Sequence, residues 1–294
     1  MRIEDCQPPG LLGSIIYVDL VKLDEATARE RLLAGLPKGR RKPSTGPQFP
    51  GIDARLATSA AKPEFPGALP RYWNVPMRNR LFTGREDVLE KLHGELERDR
   101  RAALSGLGGI GKTQTAIEYA HRYRNDYNAV FFIRTDTETA LTAGMIEIAG
   151  VLALPGRDAK DQNETVAAVK RWLLEHDRWL LIADNADELA LVKNVLPFDA
   201  PGQILLTTRA AGTGAVAEAV KVKKMEPEEG AHFLLRRAGL LGRTSGHQSA
   251  PGDQQTAARE LSIKLDGLPL ALDQAGAFYR GDTLLPDRVF AALR

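Results

Sequence analysis

Cysteine is almost absent from this chain, since Cys6 is the only one in 294 residues. A single cysteine excludes an internal disulfide framework and fits a reducing compartment. Apolar runs of membrane-spanning length are also lacking, and the charged residues Arg2, Glu4 and Asp5 do not suit a secretory signal peptide. We therefore expect a cytoplasmic protein with no membrane partner.

A large excess of one charge is lacking too. The chain has 40 basic and 38 acidic residues, a net charge of +2, so its overall field favours neither nucleic acid nor a membrane surface. The basic cluster at 38–42 has no interleaved aromatic residues and fits a solvated tether better than a nucleic-acid patch. Nucleic acid is therefore not an expected partner.

Glycine, by contrast, is concentrated in one stretch. The segment from Gly106 to Thr113 has the pattern Gly-x-x-x-x-Gly-Lys-Thr of a phosphate-binding P-loop, between a predicted strand and a predicted helix. Glycine lets backbone N–H groups turn onto a phosphate chain, Lys112 can reach the β- and γ-phosphates, and Thr113 can ligate Mg²⁺. The predicted nucleotide contacts in this stretch come from Gly106, Gly108, Gly109, Ile110, Gly111, Lys112, Thr113 and Gln114.

A second part of the site is predicted where an apolar strand ends in acid. The segment Trp179–Asp184 has the Walker B form, which makes Asp184 the second expected Mg²⁺ ligand. The next residue, Asn185, can orient water but cannot accept a proton. Asp187 or Glu188 could take the proton instead, but both are better interpreted as acids of a first helical turn.

Three further short motifs, or boxes, accompany the P-loop and the Walker B strand. Leu-Phe-Thr-Gly-Arg-Glu ends at Glu86, Thr-Thr-Arg ends at Arg209, and Gly-Leu-Pro-Leu begins at Gly267. In this order the five boxes resemble the NB-ARC class of STAND signal-transduction ATPases. The resemblance implies a switch between ADP and ATP, in signal transduction or defence, that regulates oligomerisation of an effector. It places Arg85 and Pro269 near the adenine and Arg209 at the γ-phosphate, and we assign Lys112, Asp184 and Asn185 as the catalytic residues. In this class an acid that polarises the attacking water often follows the Walker B aspartate, and Asn185 stands at that position. Because a missing general base can cost on the order of 10²–10⁴ in rate, we expect slow hydrolysis.

The first 36 residues give a second resemblance. Arg-Ile-Glu-Asp-Cys at 2–6, Ile-Tyr-Val-Asp-Leu at 16–20 and the helix capped by Asp24 are similar to the end of bacterial TIR-type domains. Most of such a domain would be absent, so we expect no NAD-cleaving activity. An unrelated adapter segment is the alternative. We expect a fragment truncated at both ends, which self-associates or assembles with other NB-ARC or TIR proteins.

The alternation of apolar strands and helices predicts an α/β fold, a P-loop NTPase parallel sheet with helices on both faces. The predicted domains are a TIR-like remnant at 1–36, a Pro-rich basic linker at 37–79, a P-loop domain at 80–224 and a helical ARC1-like subdomain at 225–294. An NB-ARC transcriptional regulator is one alternative, although no helix-turn-helix pattern is visible. A metabolic P-loop kinase is another, and it would need an acceptor pocket and a lid.

Overall fold

The computed structural model describes residues 23–24, 26–27, 30, 70–154, 162–210, 212–213, 216–242 and 250–281. The chain divides into two compact units, residues 1–63 and 64–294. In the first, Asp24 Oδ1 accepts a hydrogen bond from the Thr27 amide at 3.0 Å, as expected of a helix N-cap. Most of the TIR-like residues, including 2–6 and 16–20, and the basic cluster at 38–42 lie outside the described residues.

In the second unit the apolar stretches form one parallel sheet. Its strands are β1 (Tyr72–Trp73), β2 (Arg101–Ser105), β3 (Ala129–Arg134), β4 (Trp179–Asp184), β5 (Gln203–Thr208) and β6 (Glu218–Lys221). Their order across the sheet is β1-β3-β4-β5-β2-β6, with every neighbouring pair parallel. The carboxyl ends of the strands therefore meet at one edge, where α/β proteins bind ligands.

Helices cover both faces of the sheet. They are α1 (Glu86–Asp99), α2 (Lys112–Arg122), α3 (Glu138–Val151), α4 (Gln162–Glu175) and α5 (Leu189–Val195). Alternate strand residues point to opposite faces, so in β4 Leu180 packs with α1 and α2, whereas Leu181 packs with α3, α4 and α5. This arrangement confirms the predicted fold class.

A third hydrophobic core lies in the three helices that follow the sheet. Pro227 opens α6 (Pro227–Arg237), and α7 (Gly252–Lys264) and α8 (Pro269–Gly281) pack on it. Met225, Phe233 and Leu272 are among the buried residues of this core. The domain limits at 80 and 225 stay predictions.

The edge strand β1 lies inside the stretch that the sequence assigns to the linker. Tyr72 packs edge-on against Trp172 at 5.9 Å and Trp73 against His121 at 5.0 Å, between ring centroids. A strand of two residues is too short to show an alternating pattern, so periodicity does not predict it. No helix within the described ranges is long and apolar enough to cross a membrane.

Candidate nucleotide-binding site

A cavity of about 710 Å³ opens at the carboxyl edge of the sheet, between the P-loop and the three C-terminal helices. Its volume falls within the usual range of small-molecule sites. The sheet side supplies polar and charged groups, and the helical side supplies apolar ones together with Asp273. The lining residues used below are Asn79, Arg85, Gly108, Gly109, Gly111, Lys112, Thr113, Gln114, Asp136, Asn185, Asp187, Arg209, Met225, Phe233, Pro269, Leu270 and Asp273.

The P-loop has the conformation that its glycines permit. Gly111 caps α2 with a φ of 91°, a left-handed value that strains any other L-residue. A Cβ atom there would lie 2.8 Å from Arg85 Nη1. Gly108 and Gly109 line the cavity, as does Gln114, whereas the Ile110 side chain is 1% exposed and belongs to the core beneath.

The P-loop lysine folds back over its own loop. Lys112 Nζ donates hydrogen bonds to the carbonyl oxygens of Gly106 and Leu107, each at 2.9 Å. The residue is 8% exposed, and burial is the main cause that lowers the pKa of its ammonium group. Phosphate oxygens entering the cavity would offer this cation stronger acceptors than neutral carbonyls.

The two predicted metal ligands lie side by side. Thr113 Oγ1 donates to Asp184 Oδ1 at 2.7 Å, and Thr207 Oγ1 donates to the same oxygen at 2.6 Å. Among the described residues no group of three or more His, Cys, Asp or Glu could hold a metal alone. Mg²⁺ in phosphate sites uses one or two protein oxygens beside water and phosphate. The pair therefore fits Mg²⁺, which would neutralise phosphate charge when bound.

Asp187 anchors the arginine predicted to sense phosphate. Its Oδ1 accepts from the Arg209 amide at 2.6 Å and from Thr208 Oγ1 at 3.1 Å, and its Oδ2 accepts from Arg209 Nε at 2.6 Å. Burial alone would raise the pKa of Asp187, but these hydrogen bonds and the arginine charge lower it. The interpretation of Asp187 and Glu188 as first-turn acids is wrong, because α5 begins at Leu189 after the N-cap Glu188.

Asn185 stands at the end of β4 with a left-handed φ of 61°. Asparagine tolerates this conformation better than most residues. Its amide donates to Thr207 Oγ1 at 3.0 Å, so the same threonine holds both Asn185 and the preceding Asp184. The side chain of Asn185 is exposed and lines the cavity.

Arg85 connects the start of α1 with the P-loop. Its guanidinium donates to the Ile110 carbonyl oxygen and, at 2.9 Å, to Thr115 Oγ1. Burial is the main cause that lowers the pKa of this arginine. Arg85 therefore supports the P-loop through these hydrogen bonds and also lines the cavity. The motif alone does not predict this supporting role.

The Gly-Leu-Pro-Leu corner contacts the P-loop directly. The Leu270 amide donates to the Gly109 carbonyl oxygen at 3.2 Å, and Pro269 lines the cavity beside it. Met225 and Phe233 extend this apolar side from α6 and the segment before it. The sequence did not predict either as a site residue, because their apolar character signals only core.

Among the polar lining residues that the sequence also missed are Asn79, Asp136 and Asp273. Asp273 is ion-paired with Arg237 at 2.6 Å. Asp136 could have been found, since it follows β3 and acids at the carboxyl ends of parallel strands gather at the ligand edge. Asn79 and Asp273 come from segments with no such signal.

The parallel sheet, the P-loop and the Thr113–Asp184 pair together define a nucleotide-binding domain of the P-loop NTPase class. More narrowly, the sequence model of the NB-ARC domain matches residues 83–239. The chain belongs to the NB-ARC family.

Several characterised or solved proteins are similar to it. A nucleotide-binding leucine-rich repeat (NLR)-like protein of Hyaloscypha variabilis is 34% identical over 70% of this chain and 23% of its own length. The regulatory protein AfsR of Streptomyces coelicolor is 31% identical over 65% of this chain and 21% of its own. The chain thus spans less than a quarter of these two curated relatives.

Among solved structures, a signal transduction ATPase with numerous domains from Pyrococcus horikoshii has a tetratricopeptide repeat sensor. It aligns with a TM-score of 0.45 and 17% identity, over 75% of this chain and 33% of its own.

Proposed function

We propose that this chain is the nucleotide-binding module of an NB-ARC switch that distinguishes ADP from ATP. The observation behind the proposal is the cavity itself, whose P-loop side and helical side are connected by the hydrogen bond from Leu270 to Gly109. A ligand held by both sides biases their relative arrangement, and a ligand can shift an equilibrium only through such differential contacts. ATP differs from ADP by its γ-phosphate, and Lys112 and Arg209 would contact that group.

The predicted site residues receive specific roles in this proposal. Lys112 and the loop amides of 106–114 bind phosphate, Thr113 and Asp184 hold Mg²⁺, and Arg209 contacts the γ-phosphate. Arg85 and Pro269 lie toward the adenine. Asn185 orients water without taking its proton, which supports slow hydrolysis and a long-lived ATP state.

The biological setting follows from the family and remains part of the proposal. The module would control the oligomerisation of an effector in signalling or defence, in the cytoplasm, by self-association or with other NB-ARC or TIR proteins. The NLR-like relative supports this setting. The TIR-like resemblance at 1–36 supports a TIR-type effector, and apart from a few residues it lies outside the described part of the chain.

A second candidate is a transcriptional regulator that contains an NB-ARC module. The similarity to a regulatory protein of Streptomyces coelicolor favours it. Nucleotide-dependent binding to promoter DNA in a gel-shift assay would support this candidate over an effector switch.

The first test is the nucleotide content of the purified protein. Nucleotide is released by denaturation and identified by chromatography, with Lys112→Ala as the matched control. The proposal expects close to one ADP per chain, lost in the variant. Absence of bound nucleotide, together with no detectable binding of added ATP or ADP, would contradict it.

A further inference from the structure

We propose that Asp136 is the general base of ATP hydrolysis in this chain and replaces an acid at position 185. The inference rests on the proposed function, because it assigns a residue to the reaction of that same cavity. Its basis is the geometry of two neighbouring strand ends.

The first step is the position of Asp136. Strands β3 and β4 are parallel with Arg134 opposite Asp184. Beyond them, the amide and the hydroxyl of Thr135 both donate to the Asp184 carbonyl oxygen at 2.8 Å. This double contact holds the end of β3 against the end of β4. Asp136 follows directly, and it lines the cavity together with Asn185 and Thr113.

The second step is the state of the other carboxylates. Asp184 already accepts hydrogen bonds from Thr113 and Thr207 and occupies the metal position. Asp187 has both oxygens bound to Arg209 and Thr208 groups. Asp273 is paired with an arginine on the helical side. Asp184 and Asp187 cannot take a proton without giving up contacts that shape the site. Asp273 comes from α8 on the helical side and not from the strand ends beside Thr113 and Asn185.

The third step is the availability of Asp136. Arg134 Nη2 donates to Asp136 Oδ2 at 3.0 Å, which orients the carboxylate. Within the described ranges no hydrogen bond to its Oδ1 is present. The side chain is 35% exposed, so water reaches it. At the described strand ends, Asp136 is therefore the cavity-lining carboxylate with an oxygen open to an attacking water, and Arg134 is its positioning residue.

Two side chains share the activation of the attacking water. Asn185 hydrogen-bonds the water and fixes its direction, and Asp136 Oδ1 accepts a proton as the water oxygen attacks the γ-phosphorus. The bond from the γ-phosphorus to the β–γ bridging oxygen breaks, and its electron pair leaves with ADP. The products are ADP, inorganic phosphate and a proton, which Asp136 then releases to solvent.

The experiment is single-turnover hydrolysis of bound ATP by the full chain, compared with Asp136→Asn. We expect the rate to fall by about 10²-fold or more, since an amide cannot accept the proton, while the affinity for fluorescent ADP stays unchanged. Glu138→Gln is the matched control, because this exposed acid two residues away does not line the cavity. Adding Asn185→Asp to Asp136→Asn should restore hydrolysis.

The remaining outcomes distinguish a failure of the Asp136 assignment from a failure of the proposed nucleotide switch. Hydrolysis by Asp136→Asn at the wild-type rate, or loss of its ADP binding, would overturn the assignment of Asp136. The same holds if the wild-type chain binds ATP and never hydrolyses it, although the switch would survive that result. If the wild-type chain binds neither nucleotide, both the assignment and the switch fail.

Discussion

At the scale of single residues, one buried charge holds together the amino edge of the sheet, opposite the edge at which the cavity opens. Arg101 is 9% exposed, and its partners are backbone carbonyl groups. Its guanidinium makes five hydrogen bonds, to the carbonyl oxygens of residues 100, 198, 200 and 202. Burial lowers its pKa to about 10, so the group still carries its charge at neutral pH. The planar guanidinium group of Arg101 therefore holds the segment that connects α5 to β5.

Arg101→Lys should destabilise the fold by about 2–3 kcal/mol, because an ammonium group cannot reach several carbonyl oxygens in a plane and leaves them unsatisfied. The free energy of unfolding in urea measures the effect. Arg100→Lys is the control, since the exposed Arg100 makes one side-chain bond, to Pro201. Equal losses in the two variants would contradict the role given to Arg101.

Glu229 is a second charge at an unfavourable position. Within the described residues its Oε1 is buried without a hydrogen-bond partner, close to Gly84. Burial raises its pKa above the ordinary value of 4.5, and the attraction of Arg85 offsets this only in part. The folded state therefore binds the proton more tightly than the unfolded state.

This shift predicts a pH-dependent effect of Glu229→Gln. The stability that the proton contributes to the wild type is complete below pH 4.5 and is lost as pH rises through the raised pKa. Glu229→Gln has no carboxyl group to ionise, so it does not lose this stability. It should therefore unfold at a higher temperature than the wild type at pH 7, and the difference in unfolding temperature should shrink as the pH falls. Glu228→Gln, at an exposed ion pair with Arg259, should show no such gain.

At the scale of elements, the corner between α7 and α8 depends on one glycine. Gly267 has a φ of 60°, its carbonyl oxygen accepts from the Met225 amide at 2.9 Å, and a Cβ atom would collide with the Met225 carbonyl oxygen. The corner places Pro269 and Leu270 at the cavity. The backbone of Gly267 therefore sets the helical side of the site.

The same substitution should have opposite effects at two glycines. Gly267→Ala should cost about 2 kcal/mol or more, through strain and collision, and weaken ADP binding. Gly94→Ala, in α1 with open space around it, should stabilise by about 0.5–1 kcal/mol. Thermal unfolding and ADP titration of both variants check this. If Gly267→Ala kept full stability and affinity, the corner would not depend on glycine.

The elements also show what the sequence could predict. Apolar runs such as Trp179–Asp184 specify buried parallel strands, and a P-loop needs few residue types, so sheet, loop and Thr113–Asp184 pair were predictable. Contacts between residues that are far apart in the sequence were not predictable. Whether Asp187 lies in the first turn of α5 or binds Arg209 depends on where β5 ends in space. Likewise, the contact of Arg85 with the P-loop depends on tertiary packing.

At the scale of the whole molecule, the cavity lies between the sheet with its two cores and the helices with a core of their own. The sheet cores and the helical core each bury their own residues, and Arg236 and Leu270 are among the groups that connect them. Arg236 Nη1 donates to Thr83 Oγ1 at 2.9 Å, and Leu270 contacts the P-loop. A ligand bound between the two parts contacts both of them and therefore biases their relative position.

ADP should therefore protect both sides of the cavity. At 100 times its Kd the ligand stabilises the native state by about 2.7 kcal/mol. Hydrogen exchange should slow in the P-loop helix α2 and equally in α8, whose amides at Leu270 and Leu272 form the corner. Lys112→Ala, mixed with the same ADP, should show neither change. Protection confined to α2 would mean that the helical side does not bind the nucleotide, and a switch would then lack the differential contact it requires.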